Sequence, residues 1–78
     1  MPTIASALNT PFTPAIGDFN VQVVNGSIQL MRANASGAPP VLVGVVGQGQ
    51  AVIVSNPVAG AVYTAVQFVG NPVFQADQ

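Results

Sequence analysis

The chain has 78 residues, half of them hydrophobic, and only three charged side chains, Asp18, Arg32 and Asp77. This length allows one domain at most. The charged fraction is 4%, against about 25% in an ordinary soluble domain. Because charged side chains keep free surfaces apart, we expect much of this surface to be covered by partners. The alternative is a soluble monomer whose surface consists of Gln, Asn, Ser and Thr.

The composition also argues against several classes of function. One Arg and no Lys are too few for nucleic-acid binding, since duplex affinity rests on several neutralised phosphates. The longest apolar stretch, Val41–Val46, is far shorter than the ~20 residues of a spanning helix. The first residues, Met1–Ile4, lack the basic start and long apolar stretch of a signal peptide. We therefore expect neither nucleic acid nor a membrane as a partner.

The residue types that carry most enzyme chemistry are missing. The sequence contains no His, Cys, Lys or Glu, whereas catalysis needs a group that moves protons, attacks or holds a metal. We interpret Asp18 and Asp77 as turn caps at strand ends. The sequons Asn25–Ser27 and Asn34–Ser36 are interpreted as turn chemistry rather than glycosylation sites. We expect no catalytic residue, no metal site, no cofactor and no small-molecule substrate.

Residues 1–18 predict an extended N-terminal arm, distinct from a β domain over residues 19–78. Pro2, Pro11 and Pro14 restrict the backbone and remove hydrogen-bond donors, which excludes a helix and disfavours a central strand. Apolar side chains are spread along the arm and dock either on the chain's own sheet or on a neighbour. These candidate interface residues are Ile4, Leu8, Phe12 and Ile16.

Arg32 is the only cation and the fifth candidate interface residue. One interpretation is a solvated residue at a strand end, opposite Phe19. The other is a fixed interaction with Asp18, Asp77 or an acidic neighbour.

Asn25-Gly26 predicts a β-hairpin between residues 19–24 and 27–32. This dipeptide favours a two-residue type I′ turn, because both central positions need positive φ. The turn sets Val24 opposite Ser27 and Val23 opposite Ile28. One face then carries the apolar residues Phe19, Val21, Val23, Ile28 and Leu30, and the other carries Asn20, Gln22, Ser27 and Gln29.

The rest of the chain predicts further short strands separated by turns. Residues 41–46 form a nearly continuous apolar segment, which indicates burial on both faces. Strands are also predicted over 51–54, 61–69 and 73–75, with turns or loops at 34–37, 47–50 and 70–71. The predicted fold is all-β, a small sandwich or partly open barrel of about six to seven antiparallel strands.

From Phe12 to Gln78 the sequence resembles small virion proteins of tailed bacteriophages. The segments that carry the resemblance are Thr10–Pro14, Phe19–Gln22, Leu30–Gly37 with its Arg32, Val54–Tyr63 with its Asn56-Pro57-Val58-Ala59-Gly60 run, and Val73–Asp77. These motifs are short and structural, and together they cover most of the chain.

The resemblance implies a capsid decoration, or cement, protein on the outside of a phage head. Such proteins bind the major capsid protein and copies of themselves, often as trimers, and would be made in the host cytoplasm. A tail, fibre or head-fibre component of the same particle is the first alternative. A small adhesion or carbohydrate-binding module is the second, although it would normally display an aromatic patch or ordered Asp/Asn loops.

Overall fold

A computed structural model describes residues 2–35 and 37–78; the sequon at 34–36 and the predicted turn at 34–37 include Ser36, which lies outside them. All regular structure in the described residues is β, in one antiparallel sheet of five strands. The strands are β1 (Thr3–Ala5), β2 (Gly17–Ala33), β3 (Val41–Val46), β4 (Ala51–Asn56) and β5 (Val62–Asp77). The predicted all-β class is confirmed.

Two long strands, β2 and β5, form the centre of the sheet. They pair antiparallel from Asn20–Asp77 at one end to Ala33–Val62 at the other. Along the opposite edge of β2, β4 pairs with residues 17–22 and β3 pairs with residues 28–32. The short strand β1 pairs with the outer edge of β5 near Asp77.

The predicted Asn25-Gly26 hairpin is wrong. Residues 17–33 form one continuous strand, and Val23 pairs with Phe74 rather than with Ile28. A type I′ turn needs positive φ at both central residues, but only Gly26, at φ 64°, is in that region. Gly26 instead lies in an irregularity where residues 70–72 of β5 oppose it. A glycine in this conformation is typical of a β-bulge.

The predicted turn at Gly70-Asn71 is also wrong, for the same reason. Gly70 has φ 69° and lies inside β5, opposite the irregular part of β2. The two predicted strands on either side of Gly26 are therefore one bent strand, and so are the two on either side of Gly70. This leaves five strands where six to seven were predicted. The predicted loop at 47–50 is confirmed. It is closed by a hydrogen bond that the backbone N–H of Gln50 donates to the Gly47 carbonyl at 3.1 Å.

The bend divides the sheet into two parts that face each other. We call the part containing β1, β4 and residues 17–23 and 73–77 the first half-sheet, and the part containing β3 and residues 27–33 and 62–69 the second half-sheet. The ring of Phe19 in the first lies 5.0 Å from that of Tyr63 in the second. Residues of both parts form one core, which includes Phe19, Val21, Val23, Ile28, Leu30, Val46, Val54, Tyr63 and Phe74. The buried side chains predicted for residues 19–30 are therefore confirmed, although the predicted pairing of residues 19–24 with residues 27–32 is wrong.

Residues 6–16 run along the outside of β5 and back to the start of β2. Phe12 exchanges two backbone hydrogen bonds with Tyr63, both 2.8 Å, and their rings are stacked at 6.0 Å. The buried Asn56 side chain donates to the carbonyls of Pro14 and Ala15, each at 3.2 Å. This segment thus covers the side of the molecule opposite β3 and β4.

Candidate assembly surface

The two half-sheets differ in the chemistry of their outer faces. Because side chains alternate along a strand, the outer residues follow from the register and from the buried positions. On the first half-sheet they are mainly polar: Thr3, Asp18, Asn20, Gln22, Ala51, Ile53, Ser55, Val73, Gln75 and Asp77. On the second they are mainly apolar: Ser27, Gln29, Met31, Leu42, Val45, Val62, Thr64 and Val66. We call these the polar face and the apolar face.

Both carboxylates lie on the polar face. Asp77 Oδ1 accepts hydrogen bonds from the Thr3 hydroxyl, 3.0 Å, and the Gln75 amide, 2.9 Å. Asp18 pairs with Ser55 at the edge of the same half-sheet and is exposed. The apolar face carries no charged side chain. A polar, hydrogen-bonded surface and an uncharged apolar one therefore lie on opposite sides of the molecule.

The free edge of β3 is the most apolar edge of the sheet. Val41, Leu42 and Val45 are 54%, 53% and 46% exposed, and Val43 is 38% exposed. β3 pairs with β2 on one side only, so its outward backbone N–H and C=O groups have no partner strand among the described residues. Unpaired edges of this kind are templates for pairing with another chain.

The burial predicted for both faces of residues 41–46 is wrong, since only Val46 is buried in this segment. A continuous apolar run indicates a fully covered strand only when a sheet or helix lies on each side, and β3 is instead an edge strand. Pro39-Pro40 just before it is a signal of an edge position, and Gly44 within it is a signal of irregular pairing. The sequence thus contained a signal for an exposed edge strand, but the prediction gave more weight to the hydrophobicity of residues 41–46.

An apolar cleft separates β3 from β4. It has a volume of about 340 Å³ and is lined by residues 43–46, residues 52–55 and Leu30. β3 and β4 pair with successive parts of the same edge of β2 and are joined by the turn at residues 47–50. Leu30, Val46 and Val54 belong to the core. The core is therefore less completely covered here than on the side closed by residues 6–16.

A second exposed apolar group, the bend patch, surrounds the irregular part of β2 and β5. It consists of Val24, Phe68, Val69 and Val73, which are between 53% and 59% exposed. Val73 pairs with Asn25 and Val69 pairs with Ser27, so these side chains lie close to the bulge. The sequence did not predict this patch because two local turns were expected there.

Three of the candidate interface residues in the arm pack on the chain itself. Ile4, Leu8 and Phe12 are partly buried against the core, whereas Ile16 is 63% exposed. The backbone amide of Asn9 also donates to the Ala65 carbonyl at 2.8 Å. The structure therefore brings the first three together at the edge of β5, and leaves Ile16 at the surface.

Arg32 lies between Tyr63 of β5 and Val41 of β3, not opposite Phe19 as the predicted hairpin required. By alternation from Leu30 its side chain is on the inner side of the second half-sheet. Its Nε is buried and has no hydrogen-bond partner in the described residues. The only cation thus lies beside the aromatic core and apart from the apolar face.

The described residues offer few groups for metal or proton chemistry. Residues 2–35 and 37–78 hold no group of three or more His, Cys, Asp or Glu that could bind a metal ion. Within the same residues no helix is long and apolar enough to cross a membrane. The arrangement is suited to surface contact through apolar side chains and through the free backbone groups of β3.

Comparison of the chain with family models, with curated proteins and with solved structures found no match. The resemblance to phage virion proteins therefore remains a prediction from the sequence motifs.

Proposed function

We propose that the chain is a non-enzymatic structural protein of a bacteriophage particle, a capsid decoration protein that binds the outside of the head. The observation that carries the proposal is the difference between the two outer faces. A protein that lies on a particle needs one face suited to the particle surface and another suited to water. The apolar face fits the first role and the polar face, with Asp18 and Asp77, fits the second.

The near absence of charge supports the same role. Monomeric soluble proteins rarely expose large contiguous apolar patches, and such patches mark interaction sites. Here the apolar face, the β3 edge and the bend patch together contain most of the strongly exposed large apolar side chains. The proposed partners are the major capsid protein and further copies of this chain, at the outer surface of the head.

We also propose that the bent sheet be regarded as a small sandwich whose two layers are the half-sheets. In this description residues 2–16 are the arm, since β2 begins at Gly17, and they close one side of the sandwich. The cleft between β3 and β4 leaves the other side open. The rings of Phe12, Phe19 and Tyr63, with centroids 5.0–6.1 Å apart, support this description because they join the arm to both layers.

The test is binding to separated heads and tails of the phage that encodes the chain, measured by co-sedimentation and by cryo-electron microscopy. We expect saturable binding to heads. Val66→Lys, on the apolar face, should weaken this binding at least tenfold, or about 1.4 kcal/mol, because it places a charge in the contact. Gln75→Lys, on the polar face, is the matched control and should bind as the wild type does.

Two results would contradict the proposal. Binding to tails alone would support the alternative of a tail or fibre component and overturn decoration of the head. If Gln75→Lys weakened binding to heads and Val66→Lys did not, the polar face and not the apolar face would make the contact.

A further inference from the structure

We infer that β3 pairs antiparallel with β3 of a second copy of the chain, across a two-fold axis perpendicular to the sheet. The inference rests on the proposed function in one respect, that the chain works in an assembly. The identity of the particle does not enter it.

β3 is the least protected of the three edge strands. Proteins protect edges with charges, Pro, very short strands or bulges. β1 has only three residues, and β4 ends in Ser55-Asn56 with Pro57 next to it. β3 also has six residues without charge or Pro, with Pro40 next to it and an irregularity in its pairing with β2 near Val43. Unlike those of β4, however, all of its exposed side chains are large and apolar. A strand added to this sheet would therefore be expected at β3.

A second copy fits this edge because the edge is uncharged. Two-fold pairing places the same strand opposite itself in the reverse direction. A charged strand would meet like charges in some registers, and like charges directly opposite each other are destabilising. Val41–Val46 meets no such penalty in any register, and the two strands satisfy each other's free backbone groups.

The free edge of β3 is long enough for a specific dimer contact. Six strand residues extend over about 20 Å, which is two thirds of the longest dimension of the molecule, 30 Å. Specific interfaces bury roughly 800 Å² on each partner, and that is about a fifth of the 4211 Å² accessible surface of this chain. Contact along most of one side of the molecule, including the exposed side chains of Val41, Leu42 and Val45, can bury an area of that order.

The orientation also suits the proposed role. A two-fold axis perpendicular to the sheet turns the second copy within the plane of the sheet and does not invert it. The apolar faces of both copies then lie on the same side, and so do both polar faces. The pair would present one continuous apolar surface of twice the area to a particle.

Single-cysteine crosslinking tests the pairing, because the chain has no Cys of its own. The three variants Val41→Cys, Val43→Cys and Val45→Cys place a cysteine at every second position of β3. Wherever the two-fold axis crosses β3, one of these positions therefore lies within one residue of it. We expect at least one variant to form an intermolecular disulfide on mild oxidation. Ile53→Cys on β4, 65% exposed, and Phe68→Cys in the bend patch, 53% exposed, are matched controls and should crosslink at least fivefold more slowly.

Sedimentation equilibrium provides the second measurement. Val45→Lys should raise the dimer dissociation constant at least tenfold, because it brings two cations together across the axis, and Ile53→Lys should not change it. A monomeric wild type would overturn the inference. So would a dimer that crosslinks fastest at Phe68→Cys, which would assign self-association to the bend patch.

The outcome is separable from that of the proposed function. A dimer that crosslinks through β3 but binds neither heads nor tails supports this inference and overturns the proposed function. Binding to heads as a monomer, without crosslinking through β3 on the particle, supports the proposed function and overturns this inference.

Discussion

At Gly26 the backbones of the two central strands approach each other closely. A Cβ built on Gly26 would lie 2.6 Å from the Val69 carbonyl oxygen and 3.0 Å from the Pro72 Cα. Both are backbone atoms, so no side-chain rotation can make room. The positive φ of Gly26 adds a second requirement for glycine, because the left-handed conformation costs other residues about 1–2 kcal/mol.

We expect Gly26→Ala to destabilise the fold by about 3 kcal/mol, the sum of the φ cost and an overpacking cost. Gly49→Ala is the control, because Gly49 also has positive φ, 78°, but nothing lies within 4 Å of its Cβ position. That variant should lose only about 1–2 kcal/mol. Urea unfolding gives both values, and equal losses would show that the close approach at Gly26 has no energetic cost.

Asn56 is the polar residue through which β4, β5 and residues 14–15 meet. It is 1% exposed; its amide donates to two carbonyls, and its Oδ1 accepts from the Tyr63 hydroxyl at 3.3 Å. A buried polar group is costly once its partner is removed. The Asn56-Pro57 and Tyr63 motif of the sequence thus has a structural use that the sequence alone did not disclose.

We expect Asn56→Ala to cost about 2–3 kcal/mol and Tyr63→Phe about 1–2 kcal/mol, since each leaves buried groups unpaired. The double variant should lose less than the sum, because the two residues share one hydrogen bond. Asn20→Ala, on the polar face, is the control and should stay within about 0.5 kcal/mol of the wild type. Additive losses in chemical denaturation would contradict a shared bond.

At the scale of the elements, the segment before β2 contributes to the folded core. β1 pairs with β5, and Phe12 stacks on Tyr63 and meets Phe19 edge to face at 6.1 Å. We expect deletion of residues 2–16 to unfold the chain, and Phe12→Ala to cost about 2–3 kcal/mol, somewhat less than for a fully buried ring.

Ile16→Ala is the control for this segment, because Ile16 is exposed and surface changes usually stay within about 0.5 kcal/mol. Circular dichroism and urea unfolding follow both effects. A deletion variant that folds with full stability would mean that the segment belongs to assembly and not to the core.

The sequence predicted the faces of the strands better than their partners. Alternation in residues 19–30 identified the buried side chains because burial depends only on which face meets the core. The Asn25-Gly26 pair indicates that the backbone adopts positive φ here, and a β-bulge with Gly at this position does so just as a tight turn does. Whether the strand that pairs here is local or distant depends on residues 69–73 of β5, which are more than forty positions further along the chain. The two outer faces could not be predicted for the same reason.

At the scale of the molecule, exposure of apolar side chains is not a sign of a loose fold. The accessible surface is 4211 Å², against about 4,400 Å² expected for a compact monomer of this size. The exposed apolar groups are therefore a property of the composition, and an assembly contact would cover them.

The proposed binding to phage heads should depend little on ionic strength, because the apolar face has no charge. Between about 0.01 and 1 M NaCl the Debye length falls from about 30 to 3 Å. Over this range we expect the dissociation constant to change less than about threefold. Co-sedimentation at several salt concentrations checks it, and a tenfold or greater weakening would indicate a contact made by charges.

The pairing of β2 with β5 also determines when the chain can fold during synthesis. Asn20 finds its partner only at Asp77, and Val23 only at Phe74, so the first half-sheet stays incomplete until residues 74–77 have left the ribosome. Pairing over such separations is slow, and apolar β3 emerges well before its sheet can close. Nascent chains stalled with residue 66 outside the tunnel should be digested rapidly by protease, and chains released as far as residue 77 should resist. Resistance at the earlier point would mean that a local structure forms first, and the newly made chain would then be shielded from aggregation with its neighbours on the same messenger RNA.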